Sequence, residues 1–242
     1  MRNTNLVTFV LPVYNCYEEL VAHLPPFIQA MDNAGYRYKV VIVDDCSANG
    51  TVIAALATAF HCAYIRNAKN RGKGYSVRKG FENAEADYFV FMDGDFPFDL
   101  SVIKLLMTTL ESGNADMVIG DRTLPSSSFP TDLPWMRRIG SNVVSALAGR
   151  YITPGHYDTQ CGIKGFRMES AKAVFGQLTQ DRFCFDIELL FLATRKKFRI
   201  KAIPVTVRKQ QRSTVRVVKD GLDVLKAIFV IYFNKISGRY KL

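Results

Sequence analysis

The chain contains few of the residues that build disulfide frameworks and zinc sites. Its 242 residues include only five cysteines and three histidines. The cysteines are odd in number and lack Cys-x-x-Cys spacing, and the histidines are scattered along the chain. This composition argues against a disulfide-stapled secreted fold and against a zinc site, and it predicts a protein of the reducing cytoplasm.

Long hydrophobic runs, targeting signals and internal repeats are also missing from the sequence. No apolar run reaches the ~20 residues that a helix needs to span a bilayer. Residues 2–5 are polar and lead directly into a short apolar stretch, which differs from a secretory signal. With 48% hydrophobic and 22% charged residues, the composition predicts a single globular domain over residues 1–242.

Acidic residues are scarce in the last fifth of the chain. Residues 195–242 hold fourteen Lys and Arg against two Asp, so this segment supplies the excess behind the net charge of +10. Such a block favours an anionic partner: lipid head groups, nucleic acid or a phosphorylated substrate. A basic nucleic-acid-binding module is one reading, but no recognisable binding motif accompanies the charge, so we expect no nucleic acid partner.

Residues 217–233 have the spacing of an amphipathic helix within this basic segment. Lys219, Lys226 and Lys235 indicate a helix that lies on an anionic membrane surface. Periodicity alone fits packing against the protein core equally well. The sequence therefore leaves both placements of this helix open.

Two carboxylates follow directly on a short apolar run at residues 88–92. The run predicts a buried strand, and Asp93 and Asp95 stand at its end, separated by Gly94. Paired carboxylates are costly to bury unless positive charge neutralises them. A bound Mg²⁺ or Mn²⁺, which also binds a diphosphate, supplies that charge, so we predict a metal site at Asp93 and Asp95. The structural alternative for so short a motif is a solvated turn.

Strand and helix patterns alternate through the first half of the chain. Apolar runs, each followed by a polar or acidic turn, predict strands at residues 6–13, 38–43, 62–65, 88–92 and 116–119. The helix patterns between them indicate βα units of a parallel sheet, and Pro25 and Pro26 predict a break or kink in the first helix. Ligands of such sheets bind beyond the carboxyl ends of the strands.

A glycine-rich loop at residues 70–74 precedes another predicted helix. Gly72 and Gly74 flank Lys73, and backbone N–H groups at such a helix start can hold a phosphate. Neither the Walker spacing nor the dinucleotide fingerprint is present.

Seven short motifs, taken in chain order, resemble those of the inverting family-two glycosyltransferases, which have the Rossmann-like GT-A fold. The last two of them point to the polyprenyl-phosphate sugar synthases, the dolichyl-phosphate mannose and glucose synthase group. The motifs are Leu11-Pro12-Val13-Tyr14-Asn15, residues 43–51, Asn70-Arg71-Gly72-Lys73-Gly74, Asp93-Gly94-Asp95, Gly120-Asp121-Arg122, Asp158-Thr159-Gln160-Cys161-Gly162 and residues 185–190.

The resemblance implies a GT-A type α/β fold with a mostly parallel central sheet and helices on both faces. It also implies inverting, metal-dependent transfer of a hexose to polyprenyl (dolichyl or undecaprenyl) phosphate. The implied donor is UDP-glucose, UDP-GlcNAc or GDP-mannose. Residues 1–124 would form the nucleotide-sugar-binding half and residues 125–242 the acceptor-binding half. The enzyme would sit peripherally on the cytoplasmic face of the membrane.

The resemblance also assigns roles to individual residues. Those expected to bind the nucleotide-sugar are Pro12, Tyr14, Val43, Asp45, Lys73, Asp93, Gly94 and Asp95. Those expected to face the acceptor phosphate are Arg122, Arg137, Ser141 and Arg212. The catalytic set is Asp93, Asp95, Arg122 and Asp158, with Asp93 and Asp95 as metal ligands.

The chemistry of the transfer agrees with these roles. A bound cation stabilises the leaving diphosphate without proton transfer. A phosphate monoester is already anionic near neutral pH (second pKa about 6), so it needs positioning more than a general base, and arginine suits that task. If a base is used, Asp158 is the candidate.

The sequence also departs from the family pattern. Cys16 stands where a Glu is common, with Glu18 as its possible substitute, and Pro97 replaces a Gln typical of mannose synthases. Ser213-Thr214 replaces a late Ser-Lys. Two enzyme alternatives stay open. One transfers sugar to a saccharide hydroxyl and needs a true base; the other is an aspartate phosphatase, against which Pro97 argues.

Overall fold

Helices and strands alternate along most of the chain. The computed structural model describes residues 5–128, 155, 158–208 and 217–241. The first part contains β1 (Leu6–Val13), α1 (Tyr17–Ala34), β2 (Arg37–Asp44), α2 (Gly50–Ala59), β3 (Ala63–Arg66), α3 (Lys73–Phe81), β4 (Tyr88–Met92), α4 (Ser101–Glu111) and β5 (Met117–Asp121). The second part contains β6 (Ile163–Arg167), α5 (Met168–Phe175), α6 (Phe185–Arg195), β7 (Ile200–Pro204) and α7 (Val217–Ile236).

The seven strands form one sheet in the order β3-β2-β1-β4-β6-β5-β7. Strand β6 runs antiparallel to β4 and β5, and the other neighbouring pairs are parallel. The predicted mostly parallel α/β sheet is therefore confirmed. Because β6 comes from the second half and lies between strands of the first, both halves share one sheet, and their predicted division of labour stays a prediction.

Helices cover both faces of the sheet, because side chains alternate along each strand. Phe9 of β1 belongs to the core cluster that packs α1, α2 and α4, whereas Val10 belongs to the cluster that packs α3, α5, α6 and α7. All five residues of β4 are buried, as expected for a central strand with both faces covered.

Helix α1 runs without a break through Pro25 and Pro26, so of the predicted break or kink, the break is wrong. Its buried side holds it on the sheet through Leu20, Leu24, Phe27 and Met31. Pro26 is exposed and Pro25 partly buried, so carbonyls that lose a partner there can bond to water instead. Packing of the apolar face thus outweighs the proline penalty. The sequence also predicts a helix at residues 136–148, which lie outside the described residues.

Helix α7 has two apolar sides. One side, formed by Val224, Ala227, Ile231 and Asn234, is buried against the second core cluster. The opposite side exposes four apolar side chains, which we call the α7 stripe: Leu225, Phe229, Phe233 and Ile236. The core packing that the sequence left open is therefore present, and a second apolar face remains on the surface. Within the described ranges, no helix has both the length and the hydrophobicity for a membrane crossing.

Candidate active site

The carboxyl ends of β2, β1 and β4 meet at one edge of the sheet. These three strands are adjacent and parallel, with Val13 paired to Asp44. Asp45 follows β2, Tyr14 follows β1, and Asp93 follows β4. The structure thus brings together the acidic strand ends that the sequence placed on this edge.

The Asp93-Gly94-Asp95 turn is fixed between β1 and β6. The Asp93 N–H donates to the Gly162 carbonyl at 2.9 Å, and the Gly94 N–H donates to the Pro12 carbonyl at 3.2 Å. A β-carbon at Gly162 would lie 2.0 Å from Asp93 Oδ2, and one at Gly94 would lie 2.7 Å from the Pro12 oxygen. Both glycines are therefore needed for the close approach that sets the position of the carboxylates.

The two carboxylates of this turn have the chemistry of a divalent cation site. Burial, reinforced by the charge of Asp93, raises the pKa of Asp95 to about 7. Oxygen donors of this kind fit Mg²⁺ or Mn²⁺. Among the described residues, no third His, Cys, Asp or Glu joins them in a metal-binding group. Such a cation would thus complete its coordination with water and phosphate oxygens, as Mg²⁺ commonly does.

A chain of alternating charges runs from this turn into the protein. Lys73, the first residue of α3, places Nζ 2.8 Å from Asp93 Oδ1 and 3.4 Å from Asp186 Oδ2. Asp186 accepts a hydrogen bond from Lys164 Nζ at 2.6 Å. Burial alone would lower the pKa of Lys73, but Asp186 and Asp93 together raise it, so the ammonium stays charged.

Asp186 and Lys164 are members of this charge chain that the sequence analysis missed. Asp186 lies in the motif at residues 185–190, and Lys164 is a lysine within a short apolar strand. A fully buried lysine normally has a charged partner. That rule is the signal by which Lys164 could have been found.

Asp45 organises the glycine-rich loop. Its Oδ1 accepts from the Arg71 N–H and the Asn67 side-chain amide, both at 2.8 Å, and its Oδ2 accepts from the Gly72 N–H at 2.7 Å. The N–H groups of Arg71 and Gly72 thus already serve Asp45, and phosphate binding by the rest of this loop stays a prediction. Contact between Asp45 and the nucleotide stays a prediction.

Tyr14 is presented at the sheet edge by a rigid loop. The Asn15 N–H donates to Ser47 Oγ at 3.0 Å, and the Ala48 N–H donates to Asn15 Oδ1 at 2.9 Å. The Tyr14 side chain is 53% exposed and available to a ligand. Pro12 is partly buried and Val43 fully buried, and the predicted contact of these two residues with a nucleotide stays a prediction.

Asp158 holds Arg122 by a two-pronged ion pair just beyond β5. Arg122 Nε lies 2.8 Å from Oδ2 and Nη2 lies 2.7 Å from Oδ1, and the Arg122 N–H also donates to Oδ2 at 2.7 Å. Asp158 is buried, while the Arg122 side chain is partly exposed. This geometry favours Asp158 as the group that orients Arg122, and its role as a base stays a prediction. The other predicted acceptor residues lie outside the described residues: Arg137, Ser141 and Arg212.

Glu188 connects α6 to the C-terminal end of the chain. It accepts from the N–H groups of Thr179 and Gln180, each at 2.8 Å, and from the Tyr240 hydroxyl at 2.6 Å. Burial and Glu188 both raise the pKa of Tyr240. The next residue in this loop, Asp181, accepts the N–H of Tyr75 in α3 through its carbonyl. Glu188 thus links the region after α7 to the helix that carries Lys73.

Known proteins share both this sequence and this architecture. The profile of the family described as Glycosyl transferase family 2 matches residues 8–175. Dolichyl-phosphate beta-glucosyltransferase ALG5D of Trichomonas vaginalis is 27% identical over 242 residues, covering 92% of this chain and 73% of that protein. Dolichyl-phosphate beta-glucosyltransferase of Saccharomyces cerevisiae is 26% identical over 255 residues, covering 97% and 76%.

A solved structure shows the same fold at low sequence identity. Glucosyl-3-phosphoglycerate synthase from Mycobacterium tuberculosis, in complex with Mn²⁺, UDP-glucose and phosphoglyceric acid, superposes with a TM-score of 0.67 at 15% identity. The match covers 94% of this chain and 80% of that one. The GT-A fold and the glycosyltransferase activity expected from the sequence are thus confirmed. The chain belongs to glycosyl transferase family 2.

Proposed function

We propose that this enzyme transfers glucose from UDP-glucose to the phosphate of a polyprenol such as dolichol, with inversion and with Mg²⁺ or Mn²⁺. The observation that carries the proposal is the sheet edge where Asp93 and Asp95 face Lys73. Relatives named dolichyl-phosphate beta-glucosyltransferase, which align with nearly the whole chain, support the choice of sugar and acceptor.

Different residues of the site bind the nucleotide, bind the cation and compensate the charge of the leaving diphosphate. Tyr14 and the loop organised by Asp45 bind the nucleotide, and Asp93 and Asp95 hold the cation. When bound, the cation supplies positive charge to the leaving diphosphate. Lys73 adds a second positive charge at the same place. An oxygen of the acceptor phosphate attacks the anomeric carbon from the side opposite the diphosphate. The bond from that carbon to the diphosphate breaks, and the configuration of the carbon is inverted.

The arrangement of Arg122 favours a phosphate acceptor over a sugar hydroxyl. A hydroxyl acceptor requires a general base, but both oxygens of Asp158 already accept hydrogen bonds from Arg122. A guanidinium held in this way pairs well with phosphate oxygens. Asp158→Asn should therefore lower transfer by weakening acceptor binding, seen as a raised KM for dolichyl phosphate. A large fall in kcat with little change in KM would instead indicate that Asp158 acts as a general base, as a hydroxyl acceptor requires.

The α7 stripe supports action at a membrane surface, where a polyprenyl phosphate resides. Exposed Phe229 and Phe233 lie beside exposed Lys226, in a segment that carries the chain's positive excess. Interfacial helices combine an apolar face with basic residues in this way. All five cysteines lie in the described part of the chain and none forms a disulfide, which fits the cytoplasmic face of the membrane.

The direct test supplies radiolabelled UDP-glucose, dolichyl phosphate and Mn²⁺ to the purified protein. We expect label in an organic-extractable lipid phosphate, and no label when the cation is removed with EDTA. Asp93→Asn should abolish transfer, whereas Asp32→Asn, the same change on the exposed end of α1, should leave it intact. No transfer from UDP-glucose, UDP-GlcNAc or GDP-mannose would overturn the proposal.

A further inference from the structure

The Lys73 ammonium occupies a position beside Asp93 in which a cation is expected to act. Its Nζ lies closer to Asp93 Oδ1, at 2.8 Å, than to Asp186 Oδ2, at 3.4 Å. The Lys73 side chain is only 10% exposed, so water screens this pair weakly. One of the two carboxylates predicted to bind the metal is therefore already paired with a positive charge of the protein.

Other groups keep the ammonium in place when Asp93 takes a different partner. Asp186 is itself fixed by Lys164, which is fully buried and also donates to the Cys161 carbonyl at 2.9 Å. The rings of Phe91 and Phe185 lie 5.7 and 5.6 Å from Lys73 Nζ, within reach of cation–π attraction. Asp186 and Lys164 thus act as positioning residues for Lys73.

We propose that Lys73 competes with the divalent cation for Asp93, and that it turns to the diphosphate when cation and nucleotide bind together. Like charges roughly 4 Å apart repel strongly near a protein surface, so a cation alone meets resistance from Lys73. A diphosphate removes that resistance because its negative charge compensates both. The cation alone therefore binds weakly, and the nucleotide strengthens its binding. This inference rests on the proposed function, which brings a nucleoside diphosphate and a cation together at Asp93.

The test compares cation binding with nucleotide binding in Lys73→Gln, which keeps much of the side chain and removes its charge. Lys73→Arg keeps the charge, and Lys69→Gln removes the same charge from an exposed position just before the glycine-rich loop. Mn²⁺ binding without nucleotide is measured by electron paramagnetic resonance of the unbound ion. Binding of UDP or GDP, whichever the wild-type protein binds, is measured by calorimetry at saturating Mn²⁺.

We expect Lys73→Gln to bind Mn²⁺ alone about fivefold or more tightly than wild type, because the competing charge is gone. The same variant should bind the nucleoside diphosphate about tenfold more weakly, because a charge-assisted contact is lost. Lys73→Arg and Lys69→Gln should bind Mn²⁺ alone as wild type does. General damage to the site would weaken both kinds of binding, so the opposite signs identify competition.

Both the tighter binding of Mn²⁺ and the weaker binding of the diphosphate by Lys73→Gln are required. If Lys73→Gln binds Mn²⁺ alone no more tightly than wild type, or binds the diphosphate equally well, the inference is overturned and the proposed function still stands. A wild-type protein that binds neither nucleoside diphosphate in the presence of Mn²⁺ overturns both. Thermal unfolding checks that Lys73→Gln is folded. If it is not folded, Lys73→Met, which also lacks the charge, replaces it in the same measurements.

Discussion

At the scale of single residues, Asp95 is a carboxyl group whose ionisation opposes folding. Burial and the charge of Asp93 raise its pKa from the ordinary 3.8 to about 7. Because the folded-state pKa is raised, the stability linked to this group is fully present below about pH 4 and is lost as pH rises to about 7. In metal-free buffer, Asp95→Asn should therefore melt well above wild type near pH 8 and close to wild type near pH 4.5.

Saturating Mn²⁺ provides the control for this prediction. A cation that binds only the folded protein raises its melting temperature by mass action. At pH 8, wild type should thus gain more from Mn²⁺ than Asp95→Asn does, because the variant lacks one of the two proposed metal ligands. A difference between the two proteins that stays constant from pH 4.5 to pH 8 would show that Asp95 does not titrate in this window.

Gly162 carries a second prediction at this scale. The β-carbon of Gly162→Ala would meet Asp93 Oδ2 at 2.0 Å, so the carboxylate must move. We expect a cost of about 1–3 kcal/mol from overpacking and a roughly hundredfold fall in kcat from the misplaced carboxylate. Gly176→Ala is the matched control, because the nearest atom to its β-carbon is 3.7 Å away. Equal activity of the two variants would contradict this account of the turn.

At the scale of elements, the sequence predicts strands and helices better than it predicts their partners. The runs at β1, β2 and β4 are apolar and end in polar or acidic turns, so their place and their shared edge follow from local pattern. The antiparallel insertion of β6 does not, because a five-residue buried strand carries no sign of its neighbours or direction.

The candidate site, like the fold, was predictable in its local motifs but not in its long-range contacts. Asp93, Asp95 and Lys73 stand in local motifs. Asp186, in contrast, contacts Lys73 and Lys164, which are 113 and 22 residues away from it in the sequence. The hydrogen bonds of Asp45 to the Arg71 and Gly72 N–H groups could not be predicted either, because sequence spacing does not show which acceptor the fold brings to a donor. Sequence spacing identifies a donor, but the fold decides which acceptor reaches it.

The link between α6 and the chain after α7 is an element-scale feature that can be measured. Glu188→Gln replaces one accepting oxygen with an amide that faces donors from Thr179, Gln180 and Tyr240. We expect a loss of about 2–3 kcal/mol in the free energy of unfolding, because buried donors lose a charged acceptor. Tyr240→Phe, which removes a single donor, should cost about 1 kcal/mol.

Urea denaturation of the two single variants and of the double variant checks this link. The double variant should lose less than the sum of the single losses, because both changes break the same hydrogen bond. Strictly additive losses would mean that Glu188 and Tyr240 stabilise separate parts of the fold.

At the scale of the whole molecule, the excess of positive charge and the exposed apolar stripe lie in the same segment of the chain. The basic excess is confined to residues 195–242, and the α7 stripe falls inside that segment. The stripe covers eleven residue steps, about 16 Å of helix, on the side of α7 that faces away from the core. The proposed anionic bilayer would match both the charge and the apolar face.

Substitution of the stripe tests this proposed membrane contact. Phe229 and Phe233 are 72% and 61% exposed, so changing both to Ser should leave the fold and nucleotide binding unaltered. Binding to phosphatidylglycerol-containing vesicles, measured by co-sedimentation, should fall about tenfold or more, since burying a large apolar side chain contributes about 1.5–3 kcal/mol. Leu105→Ser, at an exposed position of α4, controls for the loss of any surface apolar group. Binding of the wild type should also weaken as salt screens the basic segment. Vesicle binding that survives the double substitution would place the membrane contact elsewhere on the molecule.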